Sequence, residues 1–197
     1  MKRQALFFFL TVLLLVAGIA IFQLTLPPKI NGVIIDPPKP MPDFTLQSAE
    51  GPVNLGDFRG KIVVLYFGYL SCPDVCPTTL AALREALNQL GAKAQDAQVI
   101  FVSVDYGRDT PEKARDYATN FHPDFLGLAG SKEQVDAVTK DFGIYYLINP
   151  PDENGFYTVD HTATVQVLNP AGELIMTWPY GIQPDEIASD LKVLLGR

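Results

Sequence analysis

Residues 61–67, Lys-Ile-Val-Val-Leu-Tyr-Phe, form a nearly continuous apolar run. A run that is this short and lacks polar alternation is typical of a β-strand covered on both faces. A second run of this kind covers residues 99–104, and helical patterns follow both runs. Because buried strands that alternate with helices must lie between two helical layers, the chain is expected to fold as an α/β protein.

The remaining pattern completes one domain with a mixed central sheet flanked by helices. Helices are predicted to begin at Pro77, Pro111, Ser131 and Pro184, and the first is predicted to end at Gly91. Further short strands are predicted at residues 43–46, 53–55, 125–128, 145–148, 156–159, 163–168 and 173–178. Right-handed crossovers would make the first two long strands parallel. This order indicates a single thioredoxin-like domain over residues 43–197.

Residues 5–26 form an apolar stretch of 22 residues without a charge. A helix of this length spans about 33 Å, which matches a hydrocarbon core of about 30 Å. Residues 1–26 are therefore predicted to be a single-pass membrane anchor, with Lys2 and Arg3 on the cytoplasmic side. The domain would then lie outside the cytoplasm, on the periplasmic side in a bacterium. A cleaved signal peptide is the alternative, but the stretch is longer than a usual signal core.

Six prolines lie within residues 27–42. Proline at this density opposes helix and favours an extended chain. Residues 27–42 are therefore predicted to be a stiff spacer between the anchor and the domain.

The net charge of −7 narrows the classes of partner. Affinity for nucleic acid depends largely on the neutralisation of phosphates, and the sequence contains no cluster of Lys or Arg. No nucleic-acid partner is expected.

Cys72 and Cys76 are the only cysteines, and they lie between the first long strand and its helix. Unpaired N–H groups at a helix N-terminus favour thiolates. A bridge across three intervening residues would close a very small loop and add little stability. Disulfide oxidoreductases use two intervening residues. The third widens the separation of the sulfurs, which suits a metal at about 2.3 Å from each but does not forbid a disulfide.

His161 follows Cys76 by 85 residues and precedes a predicted strand. Sites in α/β sheets form at the carboxyl ends of the parallel strands, and an antiparallel neighbour would bring His161 to that edge. Two thiolates and one imidazole suit Cu(I), and Cu(II) with an added oxygen ligand. A structural zinc site would require four ligands. One copper ion bound by Cys72, Cys76 and His161 is the metal site predicted from these residues.

Other polar residues near the motifs are expected to have ordinary structural roles. His122 precedes a proline at a predicted helix end, where a helix-terminal or solvated role is expected. Asp160 is adjacent to His161 and is expected to point to the opposite face of the strand. Asp105 is expected to cap the loop after the second long strand. Asp109 and Glu112 have the spacing of a capping box.

Three segments of the chain resemble the SCO/SenC family of membrane-anchored copper proteins. They are Tyr-Phe-Gly-Tyr at residues 66–69 with Cys-Pro-Asp-Val-Cys-Pro-Thr-Thr-Leu at 72–80, Phe-Val-Ser-Val-Asp at 101–105 with Arg-Asp-Thr-Pro at 108–111, and Asp-His-Thr-Ala at 160–163. The resemblance covers residues 41–195 and the anchor.

The resemblance implies a thioredoxin-like fold that binds one copper ion, Cu(I) or Cu(II), through Cys72, Cys76 and His161. It implies delivery of copper to the binuclear copper centre of cytochrome c oxidase subunit II, or reduction of the cysteines of that centre, with a copper donor protein as a further partner. Two stretches depart from the family pattern. Residues 70–71 are Leu-Ser where Thr-His is frequent, and residues 106–107 are Tyr-Gly where Pro-Glu is frequent. Neither change removes a ligand.

Two classes of function follow from these residues. The first is a copper metallochaperone for oxidase assembly, which is not an enzyme in the sense of turnover. The second is a membrane-anchored thiol–disulfide reductase with Cys72 and Cys76 as its redox-active pair. A peroxidase with a lone attacking cysteine does not fit two cysteines so close in sequence.

Overall fold

The structure is a computed structural model of the chain and describes residues 12–18 and 29–196. Residues 12–18 are helical and exposed. Most of the predicted anchor, residues 1–26, lies outside the described residues. Within the described ranges, the structure contains no helix of the length and apolar character that a bilayer span requires.

The elements between residues 29 and 196 follow the predicted alternation of strands and helices. The strands are β1 (Val33–Pro40), β2 (Thr45–Ser48), β3 (Gly51–Asn54), β4 (Ile62–Gly68), β5 (Ala97–Ser103), β6 (Leu126–Leu128), β7 (Tyr146–Ile148), β8 (Val159–His161), β9 (Val165–Leu168) and β10 (Glu173–Trp178). The helices are α1 (Val75–Leu90), α2 (Pro111–Phe121), α3 (Lys132–Phe142) and α4 (Pro184–Leu194), with 3-10 turns at Leu55–Phe58 and Gly91–Asp96.

The central sheet has six strands in the order β1-β10-β9-β4-β5-β6. Strands β4, β5 and β6 are parallel, whereas β9 is antiparallel to β4, and β10 and β1 continue the antiparallel pairing. The mixed sheet and the parallel pairing of the first two long strands are therefore confirmed. Because β9 runs against β4, the chain that leads into β9 reaches the sheet edge at which β4 ends.

Strand β4 is buried on both faces, as its apolar run predicts. Its seven residues are all buried. Tyr66 packs against Phe101, whose ring also contacts Tyr117 of α2, so this face lies under α1 and α2. Phe67 points the other way and packs against Phe142 of α3 at 5.9 Å between ring centres. Helices thus cover both faces, and the predicted α/β class is confirmed.

Strands β7 and β8 form a separate two-stranded antiparallel sheet. Tyr146 pairs with His161, and Ile148 pairs with Val159. The predicted hairpin around residues 149–155 is confirmed, but its second strand is Val159–His161 rather than residues 156–159. This difference decides how His161 is held, because the histidine belongs to the hairpin and not to β9.

The prediction that residues 27–42 form a stiff spacer is wrong for residues 33–40. Residues 33–40 are strand β1, which pairs antiparallel with β10 at the edge of the central sheet. A register shift interrupts the pairing between Ile34 and Lys39. Prolines are tolerated on an edge strand, where part of the backbone N–H row needs no partner. The same prolines that indicated a spacer therefore fit an edge strand.

The buried carboxylate of Asp190 fixes the chain just before β1. Its Oδ1 accepts from the backbone N–H of Asn31 at 2.8 Å and from the Asn31 side-chain amide at 3.0 Å. Its Oδ2 accepts from the N–H of Gly32 at 2.8 Å and from the indole N–H of Trp178 at 2.9 Å. Four donors satisfy a group that would otherwise be costly to bury. The N-terminal side of the domain is thereby tied to α4 and β10.

Substitution of Asp190→Asn is expected to lower the free energy of unfolding by about 2–4 kcal/mol. The side-chain amide would replace one acceptor oxygen by a donor, and that donor would face N–H groups. Urea denaturation followed by circular dichroism measures the change. Asp185→Asn, at an exposed position in the first turn of the same helix, is the control, and it should cost less than about 1 kcal/mol. Equal stability of the two variants would contradict this role of Asp190.

Candidate metal centre

The turn between β4 and α1 places the two cysteines side by side. Helix α1 begins at Val75, two residues before the predicted Pro77, so Cys76 lies in its first turn. The N–H of Cys76 is one of the four that have no partner inside a helix, and it donates to Sγ of Cys72 at 3.4 Å. Cys76 is buried and Cys72 is half-buried, and neither forms a disulfide. The helix N-terminus thus faces the sulfur of Cys72, as the sequence predicts.

Gly68 makes room for the thiol of Cys76 at the end of β4. A Cβ atom added at Gly68 would lie 2.7 Å from Sγ of Cys76 and 3.0 Å from the Phe101 ring. Any side chain at this position would push the sulfur away from the sheet. The glycine that ends the strand is therefore a condition for the position of Cys76.

The loop between Gly68 and Cys72 is held by a buried carboxylate. Oδ2 of Asp109 accepts from the N–H of Leu70 at 3.0 Å and from the hydroxyl of Ser103 at 2.6 Å. Burial raises the pKa of Asp109 above its ordinary value. The prediction that Asp109 caps α2 is wrong: Thr110 is the N-cap and accepts from the N–H of Lys113. Asp109 instead links the cysteine loop to the end of β5.

The hairpin brings His161 to the same point. Its Nε2 lies 3.4 Å from Sγ of Cys76. The two sulfurs and a ring nitrogen of His161 all lie within 4.8 Å of one another. The convergence of these three side chains, which the sequence could only suggest, is a feature of the structure.

A backbone carbonyl fixes the protonation of the His161 ring. Nδ1 lies 3.0 Å from the carbonyl oxygen of Thr162. Because a carbonyl oxygen only accepts, we assign the proton to Nδ1, which leaves the lone pair of Nε2 directed at the sulfurs. A backbone acceptor on the far nitrogen is the arrangement found behind metal-bound histidines. Burial lowers the pKa of His161, which favours the neutral ring that a metal requires.

Burial also sets the charge of the sulfur in the protein without metal. It raises the pKa of Cys76 to about 12, so this group is a thiol near neutral pH. A bound cation would displace that proton and supply the positive charge that the buried thiolate lacks. The hydroxyl of Tyr66 is buried and has no hydrogen-bond partner among the described residues. Its ring and Sγ of Cys76 both lie beside Gly68, so a thiolate would give this hydroxyl an acceptor.

Aromatic rings enclose the histidine on one side, and solvent reaches the site on the other. Tyr66 and Tyr69 each contact the His161 ring edge to face, at 6.2 and 5.9 Å between ring centres. Burial raises the pKa of Tyr69. A surface pocket of about 390 Å³ opens beside Cys72, Val75, Asp160 and His161. An ion can therefore enter and leave without movement of the central sheet.

The three donor atoms fit a copper ion. A three-coordinate ion at about 2.1–2.3 Å from each donor places the donors roughly 4 Å apart. The observed separations, up to 4.8 Å, are within 1 Å of that value. Soft thiolates with an imidazole are the donor set that copper accepts, and the pocket leaves room for an added oxygen ligand.

Among the described residues, the other polar side chains considered in the sequence analysis do not join the three converging donors. His122 is the C-cap of α2 and its Nδ1 accepts from the N–H of Asp124 at 3.2 Å. Asp160 is exposed, as expected from its alternation with His161. Asp74 is the exposed N-cap residue of α1. Asp105 does accept from the loop N–H of Arg108 at 3.3 Å, as predicted. Its contact with the hydroxyl of Tyr157 was not anticipated, because it joins segments 52 residues apart in sequence, and neither was its ion pair with Arg108.

Comparison with known proteins identifies relatives of the chain. The SCO1/SenC family model matches residues 35–196. The mitochondrial SCO2 homologue of Bos taurus is 41% identical over 133 residues, which are 66% of this chain and 50% of the bovine protein. The chain therefore spans about half the length of that relative.

Two solved structures are similar in fold. Apo Sco1 of Thermus thermophilus has a TM-score of 0.74 and 43% identity, over 86% of this chain and 95% of that one. ScoI of Bradyrhizobium japonicum with copper bound has a TM-score of 0.73 and 34% identity, over 79% of this chain and 99% of that one. The thioredoxin-like arrangement predicted for the domain is confirmed by these similarities.

Substitution of Gly68→Ala is expected to weaken copper binding by about tenfold, because the new methyl group would displace Sγ of Cys76 from the other donors. Competition with a Cu(I) chelator measures the affinity. The double variant with Cys76→Ala removes the sulfur that the methyl group strikes. The loss of thermal stability caused by Gly68→Ala should therefore be smaller in that background, and an equal loss would contradict the proposed collision.

Proposed function

The chain belongs to the SCO1/SenC family, and on this premise we propose that it is a copper metallochaperone for the binuclear copper centre of cytochrome c oxidase. The proposed ligands of one copper ion are Cys72, Cys76 and His161. The observation that carries the proposal is the convergence of these three donors within 4.8 Å of one another. The copper-bound state of the Bradyrhizobium japonicum relative supports it.

The geometry of the site favours transfer of the ion over permanent storage. Three side-chain donors leave copper with open coordination positions, and the pocket beside Cys72 and His161 faces solvent. A recipient can place its own ligand on the ion before the first of the three donors leaves. Such stepwise exchange keeps the ion coordinated throughout. The proposed recipient is subunit II of the oxidase, and a copper donor protein is the proposed source.

The proposal includes the membrane anchor at residues 1–26 and a domain outside the cytoplasm. Its support is the uncharged stretch at residues 5–26, which has the length of a bilayer span. Asn31 and Gly32 are already bound to Asp190 of the domain, so the segment that connects the anchor to the domain would be shorter than the proline pattern indicated. A recipient embedded in the same membrane would be within reach of a domain held in this way.

A thiol–disulfide reductase is the second candidate, and the state of the cysteines favours it. Both thiols are free, and the half-buried Cys72 accepts an N–H from the start of α1. Its thiolate would attack a disulfide of the oxidase subunit and form a mixed disulfide. Cys76 would then attack Sγ of Cys72 and release the partner as a dithiol. The pair would lose two electrons and two protons in total, and the partner would gain them.

Anaerobic titration with Cu(I) is expected to end at one ion per chain in the purified protein. Cys72→Ser and Cys76→Ser should each abolish stoichiometric binding, because each removes a thiolate donor. His161→Ala should weaken binding by about tenfold or more and retain the dithiol. Metal analysis after gel filtration gives the stoichiometry, and chelator competition gives the affinity.

His122→Ala is the matched control, because it removes the other of the two histidines. It should leave copper affinity unchanged. Stoichiometric tight binding in either serine variant would contradict the ligand assignment. Suppose that the His161→Ala variant keeps the copper affinity of the wild type and also reduces an oxidase-derived disulfide peptide. The reductase function would then replace the metallochaperone function as the conclusion.

A further inference from the structure

Arg108 lies beside the hairpin that carries His161, although it is not one of the proposed ligands. The buried carboxylate of Asp105 accepts from Nε of Arg108 at 2.5 Å and from the hydroxyl of Tyr157 at 2.8 Å, through different oxygens. Nη1 of Arg108 donates to the carbonyl oxygen of Tyr157 at 2.9 Å. The guanidinium carbon also lies 3.5 Å from the centre of the Tyr157 ring. Each residue contacts the other two, and we call Asp105, Arg108 and Tyr157 the clamp.

The clamp joins two parts of the domain that belong to different sheets. Asp105 and Arg108 lie in the loop after β5 of the central sheet, whereas Tyr157 leads into β8 of the hairpin. His161 is the last residue of β8, four residues after Tyr157. Residues 162–164 join His161 to β9 of the central sheet, but β8 itself pairs with β7 and not with that sheet. Side-chain contacts therefore help to set the distance between His161 and the cysteines.

The contacts within the clamp are of the stronger kinds. Asp105 is fully buried, so its ion pair with Arg108 is only weakly screened by solvent. A charge-assisted hydrogen bond is roughly twice as strong as a neutral one, and a guanidinium over an aromatic face adds a cation–π contact. Gly107 brings the loop backbone close as well, since a Cβ there would lie 3.2 Å from the Tyr157 hydroxyl. Together these contacts allow the hairpin few alternative positions.

We propose that Arg108 is a positioning residue, which holds the hairpin so that Nε2 of His161 faces the two sulfurs. The inference rests on the copper site of the proposed function. Arg108 acts on the metal through the histidine. A charge effect on the sulfurs is the competing explanation. It is a weak one, because Asp105 neutralises the guanidinium, whose carbon lies 5.9 Å from the centre of the Tyr69 ring beside His161.

A double-mutant cycle on the full chain in detergent separates these two explanations. Arg108→Gln should weaken Cu(I) affinity by about tenfold, the effect expected for the loss of a residue that orients a metal ligand. In the His161→Ala background the same substitution should change affinity less than twofold, because no ligand remains to be positioned. Arg115→Gln is the matched control. Arg115 is an exposed arginine that pairs with Asp116 at 2.7 Å, and its loss should change affinity less than twofold.

A second measurement requires no copper. The chain contains two histidines, so ¹⁵N-histidine labelling gives a simple spectrum of ring nitrogens. At a pH about one unit above 6.5, the ordinary pKa of histidine, His161 should carry its proton on Nδ1 in the wild type. Arg108→Gln should shift the Nε2 signal of His161, because Nε2 would move away from Sγ of Cys76, whereas Nδ1 keeps its bond to the carbonyl oxygen of the adjacent Thr162. His122, which lies outside the clamp, should keep its signal unchanged in the same sample.

Each result of the two measurements either supports or overturns the positioning role of Arg108. An affinity loss below twofold for Arg108→Gln overturns the proposal. The proposal is also overturned if Arg108→Gln causes, in the His161→Ala background, half or more of the affinity loss that it causes in the wild type, with both losses expressed as logarithms. If Arg108→Gln does not fold by circular dichroism, Tyr157→Phe takes its place in the cycle with an expected loss of about threefold, because it removes only the hydroxyl bond to Asp105. A wild-type protein that binds no copper refutes the proposed function, whereas the histidine signals still test the clamp.

Discussion

The close approach between Sγ of Cys76 and the end of strand β4 is the contact on which the rest of the site depends. It requires a strand buried on both faces, a glycine as its last residue and a helix that begins within a few residues. Each requirement follows from local sequence: the apolar run of residues 62–67, Gly68, and the start of α1 at Val75. A sulfur held in this way is buried, so its thiol keeps its proton until a cation replaces it. The fold thus prepares a position for a soft metal ion.

The two kinds of proposed ligand are held by different parts of the fold. Cys72 lies in the loop that follows the buried strand β4, and Cys76 lies in the first turn of α1. His161 belongs to a two-stranded hairpin, whose position depends on side chains such as Tyr157 and Arg108. Two sulfurs near the core and a separately held imidazole would allow an ion to lose one ligand before the others. Under the proposed function, release of copper would require movement of the hairpin rather than opening of the core.

Local patterns predicted the fold well, and long-range contacts explain what they missed. The parallel pair β4 and β5 and the β9–β10 hairpin were predictable because apolar runs and turn residues specify them. Strand β1 was mistaken for a spacer, since prolines suit both an extended linker and an edge strand, and only its partner β10 distinguishes the two. The donors themselves were predictable from residue type, but their supports were not. Asp109 was expected to cap a helix, and its bond to Leu70 depends on a contact across 39 residues.

The pairing of β1 also decides at which end of the central sheet the N-terminal segment enters the domain. Val33, at the start of β1, pairs with Thr177 of β10. The next residue, Trp178, pairs with Val165 of β9, and Val165 pairs with Tyr66 near the end of β4. The chain therefore joins the sheet on the side where β4 delivers its sulfurs, three strand spacings or roughly 14 Å from it. Under the proposed anchoring at residues 1–26, the three donors would therefore face the membrane. A recipient of the ion would then approach between the domain and the membrane surface.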